Sequence, residues 1–235
     1  MVYSNLVADT LLETMATDSP ARLVVPIGAD LAGHDFSMDL PKIESLLISY
    51  PKWMTIDATI IRKILDSTLV KNKPHEMRLI LVDLCEVGLK SYDGTDHLLT
   101  PVIDVVERVL ASHQWISKEI KRRLDMFAEV GVKTIEEYNL ESGFTAMEYI
   151  LVIDVDISEV VMVAPTYIYD LIDHIMLSAR RTGFIMIATT KHPRDKMSKL
   201  YRNRITYSGE DEVGFVNYLP YGSQESTKIR LSDTV

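Results

Sequence analysis

The chain has 235 residues, 47% of them hydrophobic and 25% charged, which suits one large globular domain. Its 25 Lys and Arg against 34 Asp and Glu give a net charge of −9, which argues against a general nucleic-acid coat, because phosphate affinity comes from Lys and Arg. The single Cys85 excludes an internal disulfide and a Cys-based metal cage, and no apolar run approaches the roughly 18 residues of a membrane span.

The opening MVYSNLVADTLLETMATDSP lacks the basic start and apolar core of a secretion signal, so a cytoplasmic location is expected. The ten glycines are about 4% of the chain, against a usual share of about 7%, and none lies between Gly33 and Gly88. That gap disfavours a glycine-lined phosphate loop in the first third.

In chain order, Arg22 to Ile27 reads as a short strand, with Pro26 marking an edge or an end. Ser45 to Ser49 (SLLIS) reads as a buried strand. From Thr55 to Val70, Ile60, Ile61, Ile64, Leu65 and Thr68 share one helical face. Arg78 to Val82 is a second buried strand, closed by Asp83. A long helix is predicted from Pro101, capped by Thr100, to a stop at Gly131. On it Val102, Val106, Val109, His113, Ile116, Ile120, Leu124 and Phe127 recur at helical spacing. Tyr149 to Ile153 forms a third buried strand ending in Asp154, and a helix follows from Pro165 to Arg181. Phe184 to Ala188 is the fourth strand, and RITYS, GFVNYL and TKIRL are strand-like pieces of the tail. Lys71 to His75 and Asn139 to Thr145 are the only linker-like stretches.

Near-continuous apolar strands separated by helices predict an α/β sandwich around a mainly parallel sheet, with antiparallel C-terminal additions. An N-terminal extension over residues 1–20 would precede a single domain over 21–235. In such sheets ligands bind beyond the carboxyl ends of the strands. Those ends carry Tyr50-Pro51-Lys52, Asp83, Asp154 and Thr189-Thr190-Lys191. An apolar strand ending in Asp is the pattern of the Walker B carboxylate, which helps hold Mg²⁺ in nucleotide hydrolases. Aspartate also caps helices and starts turns, so Asp83 and Asp154 admit a purely structural role.

Order and sequence together resemble the RecA-like motor domain of the FtsK/SpoIIIE DNA translocases. LAGHDFSMDLPKIESLLIS is similar to the lead-in to that family's P-loop, and MRLILVDLCEVGLKSYDGTDHLLTPVIDVVERV to its segment built around DPK and PHLLTPVVTD. KRRLDMFAEVGVKTIEEYN, YILVIDVDISEVV, SARRTGFIMIATTKHP and NYLPYGSQESTKIRL resemble four further family segments, in register from about Leu31 to Leu231. The resemblance implies a RecA-like three-layer sandwich, assembly into rings, and co-assembly with FtsK/SpoIIIE-like motors or with copies of itself.

The departures are as specific as the matches. A P-loop needs G-x-x-x-x-G-K-[ST] so that bare backbone N–H groups wrap the phosphates. The corresponding stretch is Tyr50 to Asp57, with Tyr50 and Thr55 at the two glycines, Ile56 at the lysine and Asp57 at the metal-binding hydroxyl. Pro51 removes a donor, and Trp53 and Met54 are bulky where the loop should be open. Lys52 is a lone cation there, and Asp57 also suits a helix start. After Asp154, the position of the family's water-activating glutamate holds Val155; Asp156 and Glu159 are its acidic neighbours. Thr190 stands at the polar sensor. These positions, with Asp83, make up an expected vestigial nucleotide site without catalytic residues.

The remaining candidates are charged. Lys191, Arg194, Lys196, Lys199, Arg202 and Arg204 form the densest basic stretch, a candidate contact for DNA or an acidic partner. Arg180 and Arg181 suit a helix C-terminus, and the resemblance puts them near a subunit interface. Lys118, Lys121, Arg122 and Arg123 are expected on a solvated face, and His113 in the core. The six histidines show no metal-ligand spacing, so no metal site is expected. The leading expectation is a non-hydrolysing FtsK/SpoIIIE-like subunit with no cofactor. The alternatives are an active ATP- and Mg²⁺-dependent DNA translocase, or an ATP-independent DNA-binding protein.

Overall fold

The computed structural model describes residues 23–52, 54–56, 58–141, 146–191, 193, 195–209 and 214–232. The expected extension over residues 1–20, together with Trp53, Asp57 and Arg194, lies outside the described residues. Among the described residues nine strands form one sheet: β1 (Val24–Asp30), β2 (Asp35–Asp39), β3 (Ser45–Ser49), β4 (Met77–Asp83), β5 (Tyr149–Val155), β6 (Phe184–Thr190), β7 (Asn203–Tyr207), β8 (Phe215–Leu219) and β9 (Thr227–Leu231). Their order is β2-β1-β9-β8-β7-β3-β6-β5-β4. The run β7-β3-β6-β5-β4 is parallel throughout, and every pair from β7 outward to β2 is antiparallel. The parallel half is fully covered, which is why β3, β5 and β6 read as unbroken apolar runs.

Seven helices lie among the described residues: α1 (Leu40–Ile43), α2 (Thr59–Lys71), α3 (Val106–Val130), α4 (Ile135–Leu140), α5 (Ser158–Val163), α6 (Pro165–Met176) and α7 (Asp195–Leu200). Strand alternation divides the core into two layers. On one face Ile60, Ile61, Ile64 and Leu65 of α2 pack against Leu46, Ile48, Leu79, Leu151, Ile153 and Ile205, and the antiparallel half adds Ile27, Val216 and Ile229. On the other, Val109, Ile116 and Ile120 of α3 and Ile168, Ile172 and Ile175 of α6 cover Val82, Val152 and Met186. Each fully buried side chain of this kind is worth about 1.5–3 kcal/mol.

Two expectations need correction. No helix starts at Pro101. Residues 97–103 instead run along the open edge of β4, where Leu79 and Asp83 donate to the carbonyls of His97 and Ile103, and Leu99 and Ile103 donate to those of Leu79 and Leu81. Satisfying an otherwise bare strand edge outweighs the helical spacing, and α3 begins only at Val106. It ends where expected, on Gly131 in the left-handed region at φ 86°.

The second correction concerns Arg123, which is fully buried rather than solvated. It falls in step with Ile116, Ile120 and Phe127 on the inward stripe of α3. Its Nε donates to Glu119 Oε1 at 3.0 Å, Nη1 to the carbonyls of Glu148 at 2.7 Å and Thr182 at 2.9 Å, and Nη2 to Glu148 Oε1 at 3.2 Å. The guanidinium also lies 5.1 Å from the centroid of the Phe184 ring. One side chain thus ties α3 to the entrances of β5 and β6. Arg123→Ala takes the donor from the buried Glu148 and Thr182 carbonyls and opens a cavity, while Glu119 keeps Arg122, so urea unfolding should show a loss of about 2–5 kcal/mol. Lys121→Ala, which removes an exposed pair with Asp125, should stay within about 0.5 kcal/mol.

Candidate functional site

The C-terminal ends of β3, β6 and β5 meet at the place where the sequence puts a nucleotide site. Tyr50, at the first glycine position, is 2% exposed and stacks on Tyr207 with centroids 4.5 Å apart and planes 22° from parallel. Its backbone N–H donates to the Thr190 carbonyl at 2.9 Å. A tight turn follows, closed by the Met54 N–H on the Pro51 carbonyl at 3.0 Å. Met54 packs on the core, and Ile56, at the lysine position, is buried in it. Lys52 and Thr55 are exposed. The helix α2 begins at Thr59, after the residue at the hydroxyl position rather than before it, without a side-chain cap.

The two strand-end aspartates face opposite sides of the sheet. Asp83 follows Leu79 and Leu81 in alternation onto the α2 side and is 2% exposed. Its oxygens accept the backbone N–H groups of Val87 at 2.9 Å, Gly88 at 3.1 Å and Leu89 at 2.9 Å. It therefore holds its own loop, which Arg62 fastens to α2 by donating to the Val87 carbonyl.

Asp154 points to the α3 side and is 1% exposed. Its Oδ2 lies 3.0 Å from Nε2 of His113, which is fully buried. The other ring nitrogen, Nδ1, lies 3.0 Å from the Val109 carbonyl. Both nitrogens face acceptors, and a neutral imidazole carries only one N–H. The arrangement therefore holds one proton more than a neutral imidazole beside a carboxylate. Burial alone would lower the histidine pKa, but the charge and hydrogen bond of Asp154, aided by the Val109 carbonyl, raise it above its usual value.

The loop after β5 is fastened to β6. Asp156 donates its N–H to Thr189 Oγ1 at 2.9 Å, Ile157 donates to the Thr189 carbonyl at 3.1 Å, and the Ser158 and Thr190 hydroxyls lie 2.8 Å apart. Asp156 and Glu86 both sit at φ 54°, a conformation that costs a side chain energy, and the Cys85 thiol reaches Asp156 Oδ2 at 3.3 Å. None of these loop contacts has a local sequence signal, because each joins residues more than thirty positions apart.

Two of the basic candidates have acidic partners within the chain. Lys196 lies 3.8 Å from Asp170 and over the Tyr169 ring, while Arg202 pairs with Glu44 at 2.7 Å and covers the Tyr221 ring. Arg204 is half-buried in β7, and Lys191 and Lys199 lie on separate elements. Arg180 and Arg181 lie in a short 3₁₀ turn after α6 rather than in its last turn. Arg180 pairs with Glu44 at 3.2 Å, so Arg180 and Arg202 share one carboxylate, and Arg181 donates to Ser178. No helix of the described residues is long and apolar enough to cross a membrane.

The chain belongs to the FtsK/SpoIIIE family, whose model matches residues 7–196. It is 31% identical over 173 residues to a DNA translocase FtsK of Caldanaerobacter subterraneus subsp. tengcongensis, covering 74% of this chain and 24% of that one. It is 29% identical over 193 residues to the DNA translocase SpoIIIE of Bacillus subtilis strain 168, covering 78% of this chain and 24% of that one. The chain thus spans about a quarter of the length of these curated relatives.

In fold it is similar to the cytoplasmic domain of the Thermomonospora curvata type VII secretion ATPase EccC, with a TM-score of 0.75 at 15% identity, over 93% of this chain and 29% of that one. It is also similar to EssC (ATPases 2 and 3) of Geobacillus thermodenitrificans, with a TM-score of 0.77 at 14% identity, over 92% of this chain and 45% of that one. The mixed sheet, with parallel central strands and helices on both faces, is thus that of the RecA-like ATPase domains.

The buried pair makes stability depend on pH. The folded histidine holds its proton above the unfolded value of about 6.5, so its contribution is complete below that pH and is lost as pH rises through the folded value. Denaturant titrations from pH 6 to 9 should show wild-type stability falling more steeply than that of His113→Gln. Equal slopes would contradict the assignment.

Proposed function

We propose that this chain is a non-hydrolysing FtsK/SpoIIIE-type domain, kept as an assembly or regulatory subunit. It would act as a homo-oligomer or alongside true motors. The observation that carries the reading is the fate of the two groups that a nucleotide and its Mg²⁺ require. The lysine position holds Ile56, buried in the core, and the Walker B position holds Asp154, whose Oδ2 faces His113 in the interior.

The residues present do not fit a Mg²⁺–triphosphate. A phosphate in the loop would meet the Tyr50 ring, and Pro51 offers no N–H. Each missing charge-assisted contact is worth about 1.5–3 kcal/mol, so losing two costs roughly two to four powers of ten in affinity. No step of hydrolysis is therefore assigned to these side chains.

Family membership supports the assembly half of the proposal. Solved relatives of the same fold include EssC with its ATPases 2 and 3, a protein in which such domains occur more than once. A cytoplasmic location fits this role. The separation of the basic stretch into intrachain pairs at Lys196 and Arg202 does not favour a DNA-binding role of its own.

Equilibrium titration with a fluorescent ATP analogue and Mg²⁺ should give no saturable binding below about 1 mM. A low-micromolar Kd, or Mg²⁺-dependent phosphate release with or without duplex DNA, would contradict the proposal.

A further inference from the structure

The two faces of the sheet are not covered to the same extent. Among the described residues, the apolar layer under α3 and α6 ends at Leu47 of β3 and takes no side chain from β1, β2, β7, β8 or β9. On that face β7, β8 and β9 form an open platform. Its rungs pair Arg204 with Leu219, Lys228 with Asn217 and Arg230 with Phe215. Arg230 is exposed and the other five are half-buried. Strand alternation sends Ile205, Val216 and Ile229 to the opposite, packed face. No Asp or Glu occurs in β7 (NRITY), β8 (FVNYL) or β9 (TKIRL), although the whole chain carries a net charge of −9. The Lys228 ammonium lies 5.3 Å from the centroid of the Phe215 ring, and neither Arg204 nor Arg230 has an ion pair among the described residues. On the outer strand β2, Asp35 and Asp39 share this face, and Asp39 pairs with Lys42.

The two basic strands flank β8 and are about 10 Å apart, and each rung sets a cation beside an uncharged side chain. That pattern suits a ligand whose negative charges are interleaved with apolar groups. A guanidinium takes a carboxylate by two parallel N–H bonds, and Phe215 and Leu219 offer apolar area beside it. Duplex DNA is a poorer match, because it carries one negative charge per roughly 1.7 Å and would meet three cations on an acidic chain. From this complementarity we propose that the platform of β7, β8 and β9 is a docking site for an acidic protein segment, in which Asp or Glu is interleaved with apolar residues. The platform lies across the sheet from Tyr50 and Ile56, so it stands whether or not nucleotide binds.

The test uses the full chain and a fluorescein-labelled peptide of about 12 residues that repeats Ser-Glu-Leu. Anisotropy at about 50 mM NaCl should show saturable binding that weakens about tenfold or more at about 300 mM. On addition of the unlabelled peptide, the amide ¹H–¹⁵N signals of β7, β8 and β9 should shift, and those of α3 should not. The triple variant Arg204→Glu, Lys228→Glu, Arg230→Glu should bind about tenfold more weakly or worse. The triple variant Lys118→Glu, Lys121→Glu, Lys133→Glu makes the same change in net charge at exposed positions elsewhere, and should bind as the wild type does. Absent binding, binding indifferent to salt, shifts centred on another face, or tighter binding of a DNA duplex of about 12 base pairs would overturn the proposal.

Discussion

A carboxylate at the end of a parallel strand, shut away from solvent, needs a compensating partner: Asp83 finds three backbone N–H groups, and Asp154 finds His113 across 3.0 Å. Removing His113 would leave Asp154 as a bare buried charge, at a cost of about 3–5 kcal/mol. The pair fixes the first half of α3 against the sheet, and α3 in turn places Arg123, which gathers the entrances of β5 and β6. One long helix thus carries two buried basic side chains, His113 and Arg123, one near each end of the parallel strands.

The opposite face follows a similar logic. Where a phosphate loop would need open backbone, Tyr50 puts a ring against Tyr207, and Ile56 joins the layer under α2. Tyr207 of β7, with Val216 and Ile229 of the antiparallel strands, completes that layer, so Tyr50 is a packing position. The loop after β5 is drawn to β6 through Thr189 and Thr190.

How much of this is legible in the sequence differs from element to element, for physical reasons. The strands β3, β4, β5 and β6 are covered on both faces, so Leu46 to Ile48 or Ile150 to Ile153 read as continuous apolar runs. β2, the polar DFSMD at the sheet edge, has no such run and is missed, as are the short helices α4, α5 and α7. The substitutions at Tyr50, Ile56 and Val155 stand out because the family motif defines what should be there. The partners do not: His113 and Asp154 are 41 residues apart, and Tyr50 and Tyr207 belong to strands joined only through the fold. Arg123 is misjudged when its neighbours are grouped by charge, although its helical angle matches that of Ile120 and Phe127.

The central claim is that Asp154 is committed to His113 and not to a metal. Its most direct test is the ¹H–¹⁵N spectrum of the His113 ring, recorded at neutral pH before and after addition of Mg²⁺ and ATP. Two ring nitrogens both carrying protons, with shifts unchanged by the additions, are the predicted result. A ring that becomes neutral, or shifts on addition as Asp154 turns to the metal, would contradict the account.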